Sequence, residues 1–581
     1  MKNIAQLFLK KTREFFNNPA YVEILSDRAK KEQSAARARF GYINGEYVTY
    51  TYGEVREMVL ILAEYLKQQG FNRDSKIGLL AGNSVLWCIV YFTGQCMGIP
   101  VVPLDTNLHP RDNIHFLRHS KVDVLFTDSD YYDQMDLELA RGLNIKQVIL
   151  MDDFNDIKKT KSLKNIITAD KEVNEDIINS ENIDSKDISV ILYTSGTTGS
   201  PKGVCLTHGN LMHQAVVLPE TIEYNSKDVF IGILPLFHTF PATVCMIAPL
   251  TIGCKVVFAG TLKATKLVEI MKDQAVTIMI GVPALFESIK NAIVRKARNS
   301  SLPKKVGYNI SMGVTKLFGK LGVQAGSALF SSLREKAGMA NLRLMVSGGA
   351  PLFPETGEFY RLIGIEFIQG YGLTETSPVV SASSADDPLD SVGHPIKGVD
   401  VKISNPNKDG VGEIEVRGPN VMPGYYKNPE ATKKVMMKGW FKTGDLGFVD
   451  KRGLLYIKGR KKNVIVKSGG KNVYPEEIEE VLLESPYILE SLVYGRVSGP
   501  ESKGESVEAF IYPNYENLDI YFEKRNIDET EEKVREIIDK EIKRLTQDFP
   551  AYKKIRDFKI QQEEFEKTTT RKIKRYLYTN Q

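Results

Sequence analysis

The chain has 581 residues, 42% hydrophobic and 26% charged, with a net charge of +5. That length exceeds what one hydrophobic core serves, so two or more domains of an ordinary globular protein are expected, and the mild charge makes no case for nucleic acid. Five cysteines (Cys88, Cys96, Cys205, Cys245 and Cys254) lie in apolar runs without paired metal spacing, and read as buried free thiols of a reducing, cytoplasmic compartment.

The opening segment, MKNIAQLFLKKTREFF, is amphipathic and lacks the apolar core and cleavage site of a signal peptide. Residues 36–42 and 46–51 predict a hairpin, because Asn44-Gly45 between them is a favoured two-residue turn. Thr51 then precedes a helix over 52–69, with Val55, Met58, Val59, Leu62, Ala63 and Leu66 on one face. Residues 76–80 predict a strand, 84–97 a helix and 101–104 another strand; 123–127 and 147–151 continue the rhythm. Strands alternating with helices predict an α/β layer around a mostly parallel sheet. Two stretches, 77–104 and 229–254, carry no Asp, Glu, Lys or Arg. Gly, Pro, Asn or His interrupts both, so buried β–α–β layers fit them better than membrane spans. Residues 155–186 are polar and read as a surface connection.

Residues 188–193 form a short apolar strand, 204–207 read as a second, and His208 opens the next helix. The loop between them belongs to YTSGTTGSPKGV, Tyr193 to Val204. It offers the hydroxyls of Thr194, Ser195, Thr197 and Thr198, the glycines Gly196, Gly199 and Gly203, and Lys202. Glycines let backbone N–H groups approach an anion, hydroxyls add donors, and a lysine adds a point charge suited to phosphate. A plain flexible turn seldom combines so many donors with a lysine behind a buried strand. The common P-loop needs Ser or Thr after its lysine and then a helix, whereas Gly203 and a strand follow Lys202. The stretch instead resembles the phosphate-loop signature of the adenylate-forming superfamily of acyl-CoA synthetases, peptide adenylation domains and luciferases.

A buried strand over 229–234 runs into Pro235-Leu-Phe-His238. A core histidine would fit there; the resemblance implies instead that Phe237 and His238 border the acyl and nucleotide sites. Strands over 343–347 and 365–369 end in Gly348-Gly349-Ala350-Pro351 and Gly370-Tyr371-Gly372-Leu373-Thr374-Glu375. Ligands gather at the carboxyl ends of strands in α/β sheets, so both loops are candidates. Small residues leave room for a flat base, Tyr371 can stack on it, Thr374 can donate to phosphate, and Glu375 can ligate Mg²⁺. YGLTET also resembles the family's second signature. Asp445 of TGD is a turn residue on spacing alone; the resemblance implies that it holds both ribose hydroxyls, with Arg460 as a ribose contact.

From 438 to 481 the pattern is close to that of bacterial fatty-acyl-CoA ligases. Lys462 falls at the family's hinge, which implies a domain over 1–461 and a mobile one over 462–581. Within the latter, Pro475 starts a helix, strands follow near 492 and 507–512, and a helix spans 529–545. The tail KTTTRKIKR, 567–575, reads by itself as a solvated basic terminus; the resemblance matches Lys572 to the adenylation lysine. Glu566 and Arg571 replace that motif's Pro and Gly. Residues 288–354 are basic, and 309–323 are near-amphipathic, which suits either a solvated helix pair or an anionic membrane surface.

The resemblance thus implies an α/β fold with a large N-terminal domain of layered, mostly parallel sheets and a small mobile α+β domain. It implies ATP, Mg²⁺ and coenzyme A as co-substrate. A fatty acid would become acyl-AMP plus pyrophosphate, then acyl-CoA plus AMP. Thr194, Lys202, His238, Glu375 and Lys572 would act in catalysis, with Ser468-Gly469-Gly470-Lys471 approaching for the thioester step. An acyl carrier protein as acceptor, acyl-AMP as final product, and peripheral contact of 290–343 with the cytoplasmic membrane face stay open, as does a non-catalytic nucleotide or acyl sensor.

Overall fold

The computed structural model describes residues 1–25, 40–139, 143–152, 160–169, 175, 178, 182–194, 201–298, 311–315, 326–467, 471–497, 504–568 and 572–579. They divide into two compact units, the first drawn from Met1–Thr194, Pro201–Asp400 and Arg417–Gly439, the second from Val401–Val416 and Trp440–Gln581.

The first unit holds two large sheets. One has ten strands, in the order His394–Pro395, Val379–Ala382, Glu366–Gly372, Leu344–Gly348, Ile278–Gly281, Val229–Gly232, Lys255–Phe258, Pro19–Ile24, Tyr47–Thr51 and Tyr42–Asn44. Its six central strands, from Glu366–Gly372 to Pro19–Ile24, are parallel. The other has eight strands, in the order Gly424–Tyr425, Lys202–Thr207, Ile188–Thr194, Val101–Pro103, Ile77–Leu80, Val124–Thr127, Gln147–Leu150 and Thr160–Ser162. From Ile188–Thr194 onward they too are parallel. The mostly parallel, layered architecture is therefore present.

Local chemistry explains many of the boundaries. Thr51 and Glu54 close a reciprocal capping box that starts helix Tyr52–Gln68, and its expected apolar face is buried. Gly45 takes a φ of 62° in the tight turn between Tyr42–Asn44 and Tyr47–Thr51. The first charge-free stretch is a buried β–α–β unit. Its helix Val85–Met97, capped by Ser84, has 13 residues and carries the buried rings of Trp87, Tyr91 and Phe92. Such a helix rises about 20 Å, short of the about 30 Å of a bilayer core. No described helix is long and apolar enough to cross a membrane.

The structure departs from the local reading at several places; in the hairpin, Asn44 already pairs with Tyr47, so Gly45 and Glu46 make the turn. Within the polar connection, Thr160–Ser162 forms an edge strand and Leu163–Thr168 a helix capped by Ser162. Pro19–Ile24 is an unanticipated strand between Lys255–Phe258 and Tyr47–Thr51. A proline at a strand's first residue blocks no ladder bond there, so this site tolerates it.

Helix His208–Thr221 begins behind Thr207, whose Oγ1 accepts from the Asn210 N–H while the Thr207 N–H donates to Asn210 Oδ1. His208 is 1% exposed, and its pKa is pushed down to about 4, first by burial and then by Arg73, against an opposing Asp187. An unfolded histidine titrates near 6.5, so this contribution to stability is complete above that pH and is lost as the pH falls toward 4. At pH 5 the loss should reach about 2 kcal/mol. Urea unfolding at pH 7 and pH 5 checks this: His208→Gln should show a smaller drop in midpoint between the two than the parent chain.

In the second unit, strands Gly412–Arg417, Trp440–Val449 and Leu455–Arg460 form an antiparallel sheet. A smaller sheet of Ile488–Val497, Glu505–Pro513 and Asp557–Ile560 packs with helices Pro475–Leu482, Tyr515–Arg525 and Glu531–Leu545. Thr530 caps the last helix, acids fill its first turn, and Val534, Ile538 and Ile542 face the core. By packing, the sheet that carries Asp445 and Arg460 belongs to this unit.

Candidate active site

The phosphate-loop stretch is a hairpin. Ile188–Thr194 and Lys202–Thr207 pair antiparallel, with Thr194 opposite Lys202 and Tyr193 opposite Gly203. That register sets the first hydroxyl and the lysine across the mouth of the loop. Ser195, Gly196, Thr197, Thr198 and Gly199 lie outside the described residues. The end of the first strand is clamped: the Tyr193 ring stacks on Phe116 at 4.3 Å and 3°, and its hydroxyl lies 2.7 Å from His119 Nδ1.

Strands Val229–Gly232, Ile278–Gly281, Leu344–Gly348 and Glu366–Gly372 are parallel neighbours, so the loops after them share one edge of the sheet. After the first comes His238, half-buried, its ring tilted against Phe237 with centroids 4.5 Å apart. After the third comes Gly349, at φ 85°, followed by Ala350 and Pro351. Gly370, Tyr371 and Gly372 are not loop residues, as the sequence led us to expect, but the end of the strand itself. Antiparallel pairing with Val379–Ala382 extends it that far, Gly370 opposing Ala382 and Tyr371 opposing Ser381. No side chain crowds the open face of Gly370; the nearest atom to a Cβ there would be the Ser381 carbonyl oxygen, at 3.7 Å. Thr374 and Glu375 open the short helical turn that follows.

Sequence reasoning did not single out Tyr425. It lies on the strand beside the phosphate hairpin, opposite Val204. Its hydroxyl donates to Glu375 Oε1 at 2.9 Å, and Lys202 Nζ lies 5.1 Å from its ring centroid. Tyr425 thereby joins Lys202 to Glu375. Burial, and then the Glu375 carboxylate, push its pKa upward, so it stays a phenol and a donor. In the sequence Tyr425 shows only as one of two adjacent aromatics in Gly424-Tyr425-Tyr426.

In the second unit, Asp445 lies within strand Trp440–Val449 and not in a turn. It stands directly across from Arg460, and their side chains pair at 2.7 Å, with the carboxylate nearly buried. Lys572 is close enough to this pair to feel both charges. Its pKa is lowered by desolvation and by the Arg460 guanidinium, with Asp445 opposing. Lys462 is exposed in the turn Lys461–Asn463, and desolvation, Arg460 and Arg575 lower its pKa against Glu476. Lys471 is exposed, its ammonium 4.5 Å from the Tyr552 ring centroid. Gly469, Gly470 and Arg571 lie outside the described residues.

Among the described residues no group of three or more His, Cys, Asp or Glu side chains could hold a metal. A single carboxylate such as Glu375 still fits Mg²⁺, which binds through one or two carboxylates and completes its shell with substrate phosphates and water.

Fold and chemistry together describe a nucleotide-using α/β enzyme. Residues 26–426 match the family model described as AMP-binding enzyme. The chain is 30% identical over 469 residues to long-chain-fatty-acid–CoA ligase FadD15 of Mycobacterium bovis, covering 78% of this chain and 76% of that protein. It is 28% identical over 519 residues to the chloroplastic long-chain-fatty-acid–[acyl-carrier-protein] ligase AEE15 of Arabidopsis thaliana, covering 77% and 70%. ATP-bound MatB from Rhodopseudomonas palustris shares the fold, with a TM-score of 0.75 at 22% identity over 100% of this chain and 99% of that one. The chain belongs to the AMP-binding enzyme family.

Proposed function

We propose that this chain is an AMP-forming acid–thiol ligase that activates a long-chain fatty acid and passes it to coenzyme A. The observation that carries the reading is the Lys202–Tyr425–Glu375 constellation beside the phosphate hairpin. The fatty-acyl ligase relatives support the substrate class.

In the first half-reaction a carboxylate oxygen of the fatty acid attacks the α-phosphorus of ATP. The bond from that phosphorus to the bridging oxygen breaks, and pyrophosphate leaves. Lys202 and the Thr194 hydroxyl bind phosphate oxygens, and Lys572 adds positive charge where charge builds on the α-phosphate. Glu375 is the cation ligand; Mg²⁺, when bound, neutralises phosphate charge. Asp445 accepts from the ribose hydroxyls, and Arg460 keeps its carboxylate oriented. The small residues Gly349 to Pro351 and Gly370 to Gly372 flank the base, on which Tyr371 stacks. His238 borders the acyl end. No protein nucleophile is needed, because the attacking carboxylate already carries charge. In the second half-reaction the thiolate of coenzyme A attacks the acyl carbonyl and AMP leaves. A rotation about Lys462, with 1–461 on one side and 462–581 on the other, would exchange Lys572 for the 468–471 loop between the steps.

Incubating the protein with Mg-ATP and carboxylates from acetate to stearate, with and without coenzyme A, tests this. AMP and long-chain acyl-CoA rising together is the expected result. Acyl-AMP alone would move the acceptor to a carrier protein, a reading that the Arabidopsis relative favours. ATP bound without AMP under any condition would make the chain a sensor. Lys462→Pro should slow thioester formation more than adenylation, because proline fixes φ where the rotation needs it free. Equal slowing of both half-reactions would remove the hinge.

Peripheral docking on an anionic, cytoplasmic membrane face through 290–343 belongs to the same proposal, since long-chain fatty acids partition there. Of its amphipathic part only 311–315 is described. Co-sedimentation with anionic but not neutral vesicles is expected; no sedimentation with either would remove the docking.

A further inference from the structure

Tyr425 stands between the two groups that the ligase reading sets on phosphate, and its backbone is held from several sides. Its N–H donates to Thr432 Oγ1 at 2.9 Å, and the Tyr426 N–H donates to the Gly203 carbonyl at 2.7 Å. At Gly424 a Cβ would lie 2.7 Å from the Thr432 side chain, so the strand packs flush against helix Pro429–Val435. Lys427 Nζ donates to the His119 carbonyl at 2.9 Å, and the Tyr426 hydroxyl to the Ser120 carbonyl at 3.3 Å. The Tyr425 side chain, 9% exposed, is thus carried to one place, with its hydroxyl on Glu375 and its ring under Lys202.

From this geometry we infer that Tyr425 is a positioning residue for adenylation: its hydroxyl sets the Glu375 carboxylate and its ring steadies the Lys202 ammonium, so that cation ligand and phosphate lysine form one preorganised pair. The inference rests on the ligase reading for the use of the pair, not for its existence. A donor on Oε1 restrains rotation of the carboxylate and leaves Oε2 for a divalent cation. Partners of this kind commonly change metal affinity by about 10- to 100-fold. The ring face attracts an ammonium without neutralising it, so Lys202 keeps its charge for phosphate. A carboxylate in the ring's place would compete with the nucleotide.

Two variants separate the halves: Tyr425→Phe removes the hydroxyl and keeps the ring, and Tyr425→Leu removes both. The full chain is titrated with Mn²⁺ in the presence of an α,β-methylene ATP analogue, with free Mn²⁺ read by electron paramagnetic resonance. Affinity for the analogue without metal is read by calorimetry. Tyr425→Phe should weaken Mn²⁺ by about 10-fold or more and leave metal-free nucleotide affinity unchanged. Tyr425→Leu should weaken the metal-free nucleotide as well, by about five-fold. On a Glu375→Gln background, Tyr425→Phe should make no further difference. Unchanged Mn²⁺ affinity in Tyr425→Phe, or a full further loss on the Glu375→Gln background, would overturn the assignment. The readout is binding, so a parent chain that took up metal and nucleotide but released no AMP would count against the ligase reading alone.

Discussion

Lys572→Ala is expected to slow acyl-AMP formation by about 10²- to 10³-fold, while thioester formation from supplied acyl-AMP continues. The selectivity follows from what holds the residue. Lys567 bridges to Ile573, the Thr568 N–H donates to the Lys572 carbonyl at 2.8 Å, and the Lys572 N–H donates to Thr568 Oγ1 at 3.2 Å. Phe565, Ile573 and Tyr578 pack with Leu492 and Phe510, and Arg575 pairs with the nearly buried Glu479 at 2.6 Å. The backbone around Lys572 is therefore anchored independently of its side chain, and alanine removes only the ammonium. The lowered pKa gives a second readout. Lys572 acts as a cation, so adenylation should fall as the pH rises through a value below the ordinary lysine range. Lys572→Arg, which stays charged, should move that alkaline limb upward. Rapid-quench assays of each half-reaction measure both effects. Equal loss in the two would give Lys572 a structural role.

Gly372→Ala is expected to prevent folding, by more than about 4 kcal/mol, although its neighbour Gly370→Ala folds normally. A Cβ on Gly372 would stand 1.8 Å from the Pro378 carbonyl oxygen and 2.7 Å from its carbon, both backbone atoms. That carbonyl cannot move aside, because the Leu373 N–H and the Thr376 hydroxyl both donate to it. Overpacking against backbone has no rotamer escape. A Cβ on Gly370 meets nothing closer than 3.7 Å. Gly370→Ala should therefore keep its melting temperature and lose ATP affinity, since it narrows the space proposed for the base. Calorimetric melting of both variants is the check. A Gly372→Ala protein that melted within a few degrees of the parent would show that the hairpin to Val379–Ala382 can open without loss.

The two glycines look alike in the sequence, Gly-Tyr-Gly, and only the fold tells them apart. The same division runs through the molecule. Where local forces decide, the sequence was enough. The capping box at Thr51, the buried stripe of Glu531–Leu545, the alternation of strand and helix, and the donor-rich hairpin around Lys202 each arise from neighbours a few residues apart. Where long-range pairing decides, it was not. Pro19–Ile24 becomes a strand only because Lys255–Phe258, more than 200 residues on, offers it a parallel ladder. Asp445 meets Arg460 through strand register, which no composition encodes. Tyr425 reaches Glu375 because an antiparallel edge strand brings a segment 50 residues away against the phosphate hairpin. The sequence by itself thus determined the class of chemistry, through residue types whose spacing matches phosphate. Tertiary structure alone decided which of those residues touch, because contact between distant segments depends on sheet register and packing, not on local propensity.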